Sequence, residues 1–415
     1  MSDENKVISV NGRDYAWPKQ AVVVVCIDGS EPAYIEQAIA DGVMPFMEKA
    51  LQAGTDLRAD CVIPSFTNPN NMSIVTGQPP KIHGICGNYF YDEENDEEVM
   101  MNDPKLLKVP TIFKEFFDAG ATVAVVTAKD KLRNLLGHGL TFDQGRAICF
   151  SSEKSDETTV ANNGLDNVSD WIGREVPPVY SAELSEFIFA CGVKLMDEYK
   201  PDLMYLSTTD YIQHKYAPGT PVANEFYAML DNYMAQLDER GCIIALTADH
   251  GMKPKHTAEG VPDVIYLQDI LDDWLGEGVA RVILPITDPY VVHHGALGSF
   301  ATAYLPEEVR ADAIKRLGEL EGISLALSRA EGCEKFELLE SREGDVILVS
   351  EPGKVMGTSV DRHDLSALEE PLRSHGGTSE QRVPLLCNRS TPGLDVNKRL
   401  RNFDVFDIAL NYAQA

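Results

Sequence analysis

Basic residues are scarce in this 415-residue chain, in which 36 Lys and Arg stand against 65 Asp and Glu, for a net charge of −29. So acidic a protein is not expected to take nucleic acid or an anionic membrane as its main partner. If it handles an anionic substrate, it needs a strong local source of positive charge. Bound divalent cations would supply that charge.

Long apolar runs are also missing. No stretch approaches the roughly 18–20 residues that a membrane span requires, and the first six residues do not have the pattern of a secretory signal. The eight cysteines form no C-x-x-C pair, and several lie in apolar runs where a small buried thiol is the ordinary interpretation. We therefore expect a reduced, cytoplasmic protein, although the even number of cysteines leaves a disulfide open.

Strand-like and helix-like segments alternate over the first 260 residues. The β-branched run at 21–27 is typical of a fully buried parallel strand. Further strands are predicted at 122–126, 203–207 and 242–247, and helices at 44–53, 111–119, 182–199 and 224–237. This alternation predicts an α/β fold with a mostly parallel sheet flanked by helices on both faces.

The pattern changes after residue 260. Strands are predicted at 281–286, 299–304 and 345–349, with a helix at 307–317. We expect residues 1–260 and 370–415 to form a catalytic α/β core that binds metal, and 261–369 to be a small inserted α+β cap over the site. A final amphipathic helix is expected at 400–413.

Several short segments place acidic residues or histidines where cations would bind. Asp28 and the pair Asp249-His250 directly follow apolar strands, at the carboxyl edge where open α/β sheets bind ligands. Asp210 and His214 stand four residues apart beyond another strand and would share one face of a helix. Each segment has an ordinary alternative, such as a turn-forming Asp28 or a surface pair of Asp210 and His214.

His375 and Thr67 lie in segments of a different character. His375 belongs to a Ser-His-Gly-Gly loop that is too rich in glycine to be a packed core element. Thr67 is followed by Asn-Pro, which predicts a turn before a helix at 71–75, and the start of a helix suits an anionic phosphoryl group. A Thr hydroxyl becomes a useful nucleophile when a divalent cation lowers its pKa. The alternative is an N-capping role for Thr67, Asn68 or Asn70.

The ordered set of these residues resembles the alkaline phosphatase superfamily over residues from about 20 to 390. The closest branch contains the nucleotide pyrophosphatase/phosphodiesterases and the phosphonoacetate hydrolases, and His83-Gly84-Ile85 followed by Asn88 is similar to that branch as well. The resemblance implies an alkaline-phosphatase-like core and two zinc ions per chain. It implies one zinc held by Asp210, His214 and His375, another held by Asp28, Asp249 and His250, and Thr67 as a ligand of the second zinc and the nucleophile. It also implies that Asn88 and His214 contact the substrate.

Lys129 and Lys131 favour the phosphonoacetate hydrolases within this branch. Two lysines beyond the 122–126 strand would bind a substrate carboxylate, which a nucleotide diester lacks. They would also stabilise the negative charge that develops when the carbon–phosphorus bond breaks. The expected reaction therefore converts a small anionic phosphonate, phosphonoacetate, to acetate and phosphate through a phosphothreonine at Thr67. Lys131 has an alternative place in a solvated helix start.

Other activities remain open on the same scaffold. A phosphodiesterase, nucleotide pyrophosphatase or phosphomonoesterase would use the same two-metal site and differ in its leaving-group contacts. A phosphoglycerate mutase would need a Ser nucleophile, and a sulfatase would need C/S-x-P-x-R, which does not occur at Thr67. A metal-dependent binding or sensing protein with a degenerate site is the alternative from another class. Every expected metal-ligand position, however, holds a residue that can bind a metal. The sequence is compatible with a homodimer and does not establish the oligomeric state.

Overall fold

The structure, a computed structural model, describes residues 6–286, 295–366 and 368–413. The first five residues, which contribute to the expectation about export, lie outside the described residues. Within the described part of the chain, no helix has both the length and the apolar character needed to cross a membrane. All eight cysteines are free and buried, which removes the disulfide alternative.

The strands and helices follow each other through most of the described chain. The strands are β1 Val7–Val10, β2 Arg13–Ala16, β3 Val22–Cys26, β4 Thr55–Asp60, β5 Tyr89–Asp92, β6 Glu97–Met100, β7 Val123–Thr127, β8 Ala147–Ser151, β9 Leu203–Ser207, β10 Ile243–Thr247, β11 Lys253–Pro254, β12 Val264–Tyr266, β13 Arg281–Ile283, β14 Phe300–Tyr304, β15 Ile323–Ser328, β16 Val346–Ser350, β17 Val355–Gly357, β18 Arg373–Ser374 and β19 Arg382–Cys387. The α-helices are α1 Pro32–Ala40, α2 Pro45–Ala53, α3 Thr67–Thr76, α4 Pro80–His83, α5 Ile112–Asp118, α6 Asp130–Leu136, α7 Val160–Asn163, α8 Val168–Ile172, α9 Glu183–Glu198, α10 Tyr211–Lys215, α11 Pro221–Glu239, α12 Leu267–Leu275, α13 Glu307–Gly318, α14 Arg329–Phe336 and α15 Val405–Asp407. Short 3-10 turns occur at Pro104–Leu106, Glu340–Arg342, Val360–Arg362, Thr378–Glu380 and Asn402–Asp404, and a π-helical turn at Ile408–Tyr412.

A seven-stranded sheet in the order β4-β19-β10-β3-β9-β7-β8 forms the centre of the molecule. The five strands from β10 to β8 are parallel, whereas β19 runs antiparallel to both of its neighbours. Every residue of those five parallel strands is buried, which explains their continuous apolar sequences. The mostly parallel sheet predicted from the sequence is confirmed.

Helices cover both faces of this sheet. Side chains of α1, α2, α9 and α11 pack with one face in a single apolar cluster. Side chains of α3, α5, α6 and α15 pack with the opposite face in a second cluster. The sheet is therefore sandwiched between helical layers, and its strand ends remain the natural place for a site.

A second sheet lies within the segment predicted as an insertion. It has four antiparallel strands in the order β13-β14-β16-β15. Residues of α12, α13 and α14 share an apolar cluster with this sheet, and the cluster also contains Ile63 and Phe66. Because Phe66 directly precedes α3, the second sheet packs against the start of the helix that carries Thr67.

Two helix predictions were wrong in their extent. The helix expected at 71–75 begins earlier, at Thr67, because Pro69 lies in the first turn, where its missing N–H is not needed. The helix expected at 400–413 is instead a 3-10 turn, a three-residue α-helix and a π-helical turn in succession. Its buried side chains still pack on the central sheet.

Candidate two-metal active site

Neighbouring parallel strands bring three carboxylates to one edge of the central sheet. Asp28, Asp249 and Asp210 follow the ends of β3, β10 and β9 by two or three residues. These strands are adjacent and parallel, so their carboxyl ends meet. The Asp28 N–H donates to Thr208 Oγ1 over 2.9 Å and the Gly29 N–H to Asp249 Oδ1 over 3.2 Å, which ties the three loops together.

Asp210 directly precedes the short helix α10 and His214 lies within it, as their spacing predicted. Only 8% of Asp210 and 5% of His214 is exposed, so the surface-pair alternative is wrong. His214 Nε2 lies 2.9 Å from Asp210 Oδ2, and His375 Nε2 lies 3.7 Å from the same oxygen. One carboxylate therefore faces two imidazoles.

His250 lies between the two groups of ligands. Its Nε2 is 3.2 Å from Asp28 Oδ1 and 3.7 Å from Asp249 Oδ2, and its ring stacks on His375 with the ring centres 3.7 Å apart. Potential ligand atoms of Asp28, Asp249 and His250 lie within 4.8 Å of one another, and so do those of Asp210, His250 and His375. The first set is the one expected for the second zinc. The second set contains His250 where the expectation had His214.

All three imidazoles are oriented through Nδ1 by a backbone carbonyl. His214 Nδ1 is 2.8 Å from Arg373 O, His250 Nδ1 is 2.9 Å from Gly251 O, and His375 Nδ1 is 2.7 Å from Ser65 O. A carbonyl can only accept, so each Nδ1 carries a proton, which leaves Nε2 as the ring nitrogen available to bind a metal. Metal-binding histidines are typically held in this way.

The pKa values in the cluster reveal an excess of buried negative charge. Burial and the carboxylates of Asp249 and Asp210 raise the pKa of Asp28 well above its usual value. Burial alone would lower the pKa of His250, but the carboxylates of Asp249 and Asp28 outweigh it and raise that pKa to about 10. Burial and the neighbouring His250 and His214 hold the pKa of His375 well below its usual value.

These residues fit divalent cations. Asp28 Oδ1 is buried and makes no well-directed hydrogen bond with any described residue, although His250 Nε2 lies 3.2 Å away. A single protonated His250 offsets at most one of the three buried carboxylates, so the remaining negative charge favours bound cations. Together with the carboxylates, the three Nε2 lone pairs form a nitrogen and oxygen donor set of the kind that binds zinc.

Thr67 is the first residue of α3 and lies beside this cluster. Its Oγ1 is 3.5 Å from His250 Nε2. Thr67 does not cap the helix through its side chain, because Phe66 occupies the cap position and no side-chain cap bond is formed. The hydroxyl therefore remains directed at the cluster.

One cavity joins this cluster to the predicted substrate-binding residues. Its lining includes Asp28, Thr67, Asp210 and His375 together with Asn88, Lys129 and Lys131. Asn88 Oδ1 accepts the Asn68 N–H over 3.0 Å, which leaves the Asn88 amide hydrogens for a ligand. His214 is not among the residues that line this cavity.

Lys129 and Lys131 are both half-buried at the wall of the cavity. Lys129 occupies the position just before α6, which begins at Asp130. Among the described residues, no ion pair or side-chain hydrogen bond involves Lys129. Lys131 has an interaction of its own. Lys129 is thus a cation at the site without a protein counterion in the described part of the chain.

The sequence analysis did not identify several residues that hydrogen-bond to the proposed metal ligands or to the loops that carry them. Arg373 supplies the carbonyl that orients His214, and its buried guanidinium donates to Gln213 O and Tyr34 OH. Thr208 and Asn71 bond directly to the loops that carry ligands. For Asn71 a signal existed, since it is a polar residue within the apolar part of α3, but its partner could not be read from the sequence.

The chain matches a known protein family and several curated proteins. A family model described as type I phosphodiesterase / nucleotide pyrophosphatase matches residues 22–378. A curated relative, an uncharacterized pyrophosphatase/phosphodiesterase of Schizosaccharomyces pombe, is 23% identical over 253 residues, which cover 57% of this chain and 45% of the relative. The chain spans less than half the length of the curated relatives it matches.

Solved structures resemble the whole chain. Phosphonoacetate hydrolase from Sinorhizobium meliloti 1021, in complex with phosphonoacetate, is 61% identical with a TM-score of 0.96, and the match covers 100% of both chains. The wild-type alkaline phosphatase PafA is 16% identical with a TM-score of 0.62 over 94% of both chains. The second likeness concerns the fold alone, and the alkaline-phosphatase-like fold predicted from the sequence is confirmed.

Proposed function

The chain belongs to the type I phosphodiesterase / nucleotide pyrophosphatase family, and on that premise we propose that it hydrolyses the carbon–phosphorus bond of phosphonoacetate. The products would be acetate and phosphate. The full-length likeness to the Sinorhizobium meliloti phosphonoacetate hydrolase supports this substrate. The proposal rests above all on one observation, the cavity that Lys129 shares with Thr67 and the acidic cluster.

We propose that the cluster holds two zinc ions. Asp28, Asp249 and His250, with Thr67, would hold one, and Asp210, His214 and His375 would hold the other. When bound, the two cations would supply Lewis-acid charge that lowers the pKa of the Thr67 hydroxyl and stabilises the phosphoryl oxygens.

The side chains of this protein divide the remaining work. Thr67 passes its hydroxyl proton to water and its Oγ1 attacks phosphorus, so the oxygen–phosphorus bond forms as the phosphorus–carbon bond breaks. The Asn88 amide donates to a phosphoryl oxygen, because its own oxygen is already engaged by the Asn68 N–H. Water then cleaves the phosphothreonine, which releases phosphate and restores the hydroxyl.

Lys129 acts on the leaving group. The electron pair of the broken bond moves to the methylene carbon and spreads into the adjacent carboxylate, and a proton from water completes acetate. A lysine without a counterion among the described residues is well suited to bind that carboxylate, and each ~1.4 kcal/mol of stabilisation of the developing charge accelerates the reaction about tenfold. Lys131 lines the same cavity and would assist.

A phosphodiesterase or phosphomonoesterase activity is the second candidate. The family model and the curated relatives favour it, since their descriptions name phosphodiesterases and pyrophosphatases. The metal cluster serves either reaction, whereas Lys129 favours a leaving group that carries a carboxylate. The difference between the candidates therefore lies in the substrate and not in the metals.

Product release decides between these candidates. We expect the purified chain with zinc to release phosphate from phosphonoacetate faster than it releases nitrophenol from nitrophenyl phosphate or its diester, and to lose all three activities with a chelator. A clear preference for the diester would replace the proposed substrate. Zinc content by elemental analysis tests the expected two ions per chain.

Three further predictions concern the whole protein. We propose the 261–369 segment as a cap over the site, a cytoplasmic location because all eight cysteines are free thiols, and a homodimer. Limited proteolysis, cell fractionation and light scattering measure these properties in turn.

A further inference from the structure

Asn71 is a buried residue that contacts both Thr67, the proposed nucleophile, and Asp249, a proposed metal ligand. It lies one helical turn after Thr67 in α3 and is fully buried. Its Nδ2 donates to Thr67 O over 3.0 Å and to Asp249 Oδ2 over 3.2 Å. A single amide nitrogen therefore connects the nucleophile's backbone to a proposed metal ligand.

The opposite end of the same amide is anchored on the central sheet. Tyr205 OH donates to Asn71 Oδ1 over 2.8 Å, and Ser207 Oγ donates to it over 3.3 Å. Both residues belong to β9 and are fully buried. The two amide hydrogens and the two lone pairs of the Asn71 amide are thus all used.

The chemistry of the partners determines which way the amide faces. A carbonyl and an ionised carboxylate only accept, so the group next to Thr67 O and Asp249 must be the NH2. Each hydroxyl of Tyr205 and Ser207 can then donate to the amide oxygen. Of the residues with this shape, Asn alone provides donors on one side and an acceptor on the other, since Leu provides neither and ionised Asp provides only acceptors.

Asp249 depends on this contact for its orientation. Its Oδ1 accepts the N–H groups of Gly29 and His250 over 3.2 and 3.0 Å, which leaves Oδ2 to Asn71 and to the cluster. With three donors in place, the carboxylate plane is held and Oδ2 lies 3.7 Å from His250 Nε2. Without Asn71, the two backbone donors would still hold Oδ1, but Oδ2 would lose the hydrogen bond that fixes its position.

We propose that Asn71 is a positioning residue. It holds Thr67 and Asp249 in the relative positions that catalysis by the site proposed above requires. It acts through the two residues it contacts and does not touch the substrate. Partners of metal ligands commonly change metal affinity or activity by about 10–100-fold when they are removed. The inference rests on the proposed function: its activity readout depends on the proposed substrate, whereas its metal readout depends only on zinc binding in the cluster.

Asn71→Leu tests the proposal, because Leu keeps the branched shape and removes the polar atoms. We expect one of the two zinc ions to bind about 10–100-fold more weakly in titrations against a chromophoric chelator. We also expect kcat to fall by a similar factor, with KM changed by no more than about threefold. The matched control is Asn163→Leu, since Asn163 is a buried asparagine that bonds Cys149 O away from the cavity.

A purely structural role gives a different result. In that case both Leu variants would lower the melting temperature while zinc affinity and kcat per folded molecule stayed at the parent values, which would overturn the proposal. If Asn71→Leu does not fold, Tyr205→Phe decides the matter, with Tyr15→Phe as a control at another fully buried tyrosine. We expect a smaller loss in zinc affinity and kcat for Tyr205→Phe alone, and parent values for that variant would likewise overturn the proposal.

Assays of the parent protein distinguish a failure of this inference from a failure of the proposed function. If the parent binds zinc but does not cleave phosphonoacetate, the substrate proposal fails. Zinc affinity and the hydrolysis of nitrophenyl phosphate then still report on Asn71, and unchanged values of both in Asn71→Leu would refute its role.

Discussion

The seven-stranded and the four-stranded sheets differ in how they bury charge. At the carboxyl edge of the first, three carboxylates and three imidazoles converge, and Asp28 Oδ1 has no hydrogen-bond partner among the described residues. In the second, Asp345 is paired with Arg310 and Arg329 over 3.0 and 3.1 Å, whereas burial raises the pKa of Glu343 well above its usual value. The first arrangement needs cations, while the second is neutralised by arginines or by protonation.

The difference follows from the direction of the strands. Parallel strands place the loops that follow them at one edge, so residues from distant segments accumulate there. Antiparallel strands distribute their loops between both edges, and their charges are compensated one at a time. Catalytic variants should therefore lie at the edge of the parallel sheet, and variants within the second sheet should change stability.

Thr67→Ala is expected to have the largest effect. It removes the nucleophile, so phosphonoacetate turnover should fall on the order of 10⁴-fold or more. Zinc content should stay near two per chain, because the carboxylates and imidazoles remain. Thr67→Ser, which keeps a hydroxyl, should retain part of the activity. Near-normal turnover in Thr67→Ala, measured as phosphate release, would remove Thr67 from the mechanism.

Removing metal with a chelator should come next. Activity should disappear, and the melting temperature should fall by several degrees, since a ligand present at ~100 times its Kd stabilises the folded state by about 2.7 kcal/mol. The metal-free protein should also lose stability as pH rises. The pKa of His250 is raised to about 10, so its stabilising contribution is complete below about 6.5 and is lost as pH rises towards 10. Calorimetry at several pH values measures both effects, and stability that rises with pH in the metal-free protein would contradict this account.

Lys129→Ala should affect one substrate more than another. Cleavage of phosphonoacetate should drop about 10²–10³-fold, because the carbanion-like leaving group loses its cation. Hydrolysis of nitrophenyl phosphate should drop much less, since that leaving group carries no carboxylate. Lys105→Ala, at a side chain that is 90% exposed, is the control and should leave both rates unchanged. Equal losses on both substrates in Lys129→Ala would show that Lys129 does not act on the carboxylate of the leaving group.

Glu343→Gln should have the smallest effect and should alter only stability. Burial raises the pKa of this carboxyl in the folded state, while the unfolded chain releases the proton near pH 4.5, so the parent loses stability as pH rises above that value. Gln removes this loss and should stabilise the protein by about 1–3 kcal/mol at pH 7. Denaturant unfolding measures the gain, and exposed Glu334→Gln should show none. A large change in kcat for Glu343→Gln would contradict the expectation that variants near the second sheet change only stability.

Much of the fold could be predicted because buried parallel strands have a local signature. The apolar runs at β3, β9 and β10 were recognised to within a residue of their ends. Around the second sheet, β15, α12 and α14 were missed. The burial patterns of β15 and α14 are mixed and carry no clear period, whereas α12 has apolar residues at helical spacing that were not recognised. The start of α3 was misplaced, since the Asn-Pro sequence was interpreted as a turn before the helix and not as its first turn.

The site could be predicted in its composition but not in its arrangement. Asp28, Asp249 and Asp210 were identified because each follows an apolar strand, and the lysines because they follow β7. The sharing of His250 between two groups of ligand atoms, and its stacking on His375, could not be foreseen. Asn71 was missed because its partners Asp249 and Tyr205 are more than a hundred residues away.

The sequence alone determined which residue types stand at the ends of buried strands, since apolar runs and the polar residues that follow them are local patterns. The tertiary structure decided which of these residues meet. Thr67 and His250 are 183 positions apart, and only the packing of α3 on the sheet brings Oγ1 to within 3.5 Å of Nε2. Local patterns place a residue at an edge, but the distances between atoms at that edge are set by how strands pair and helices pack.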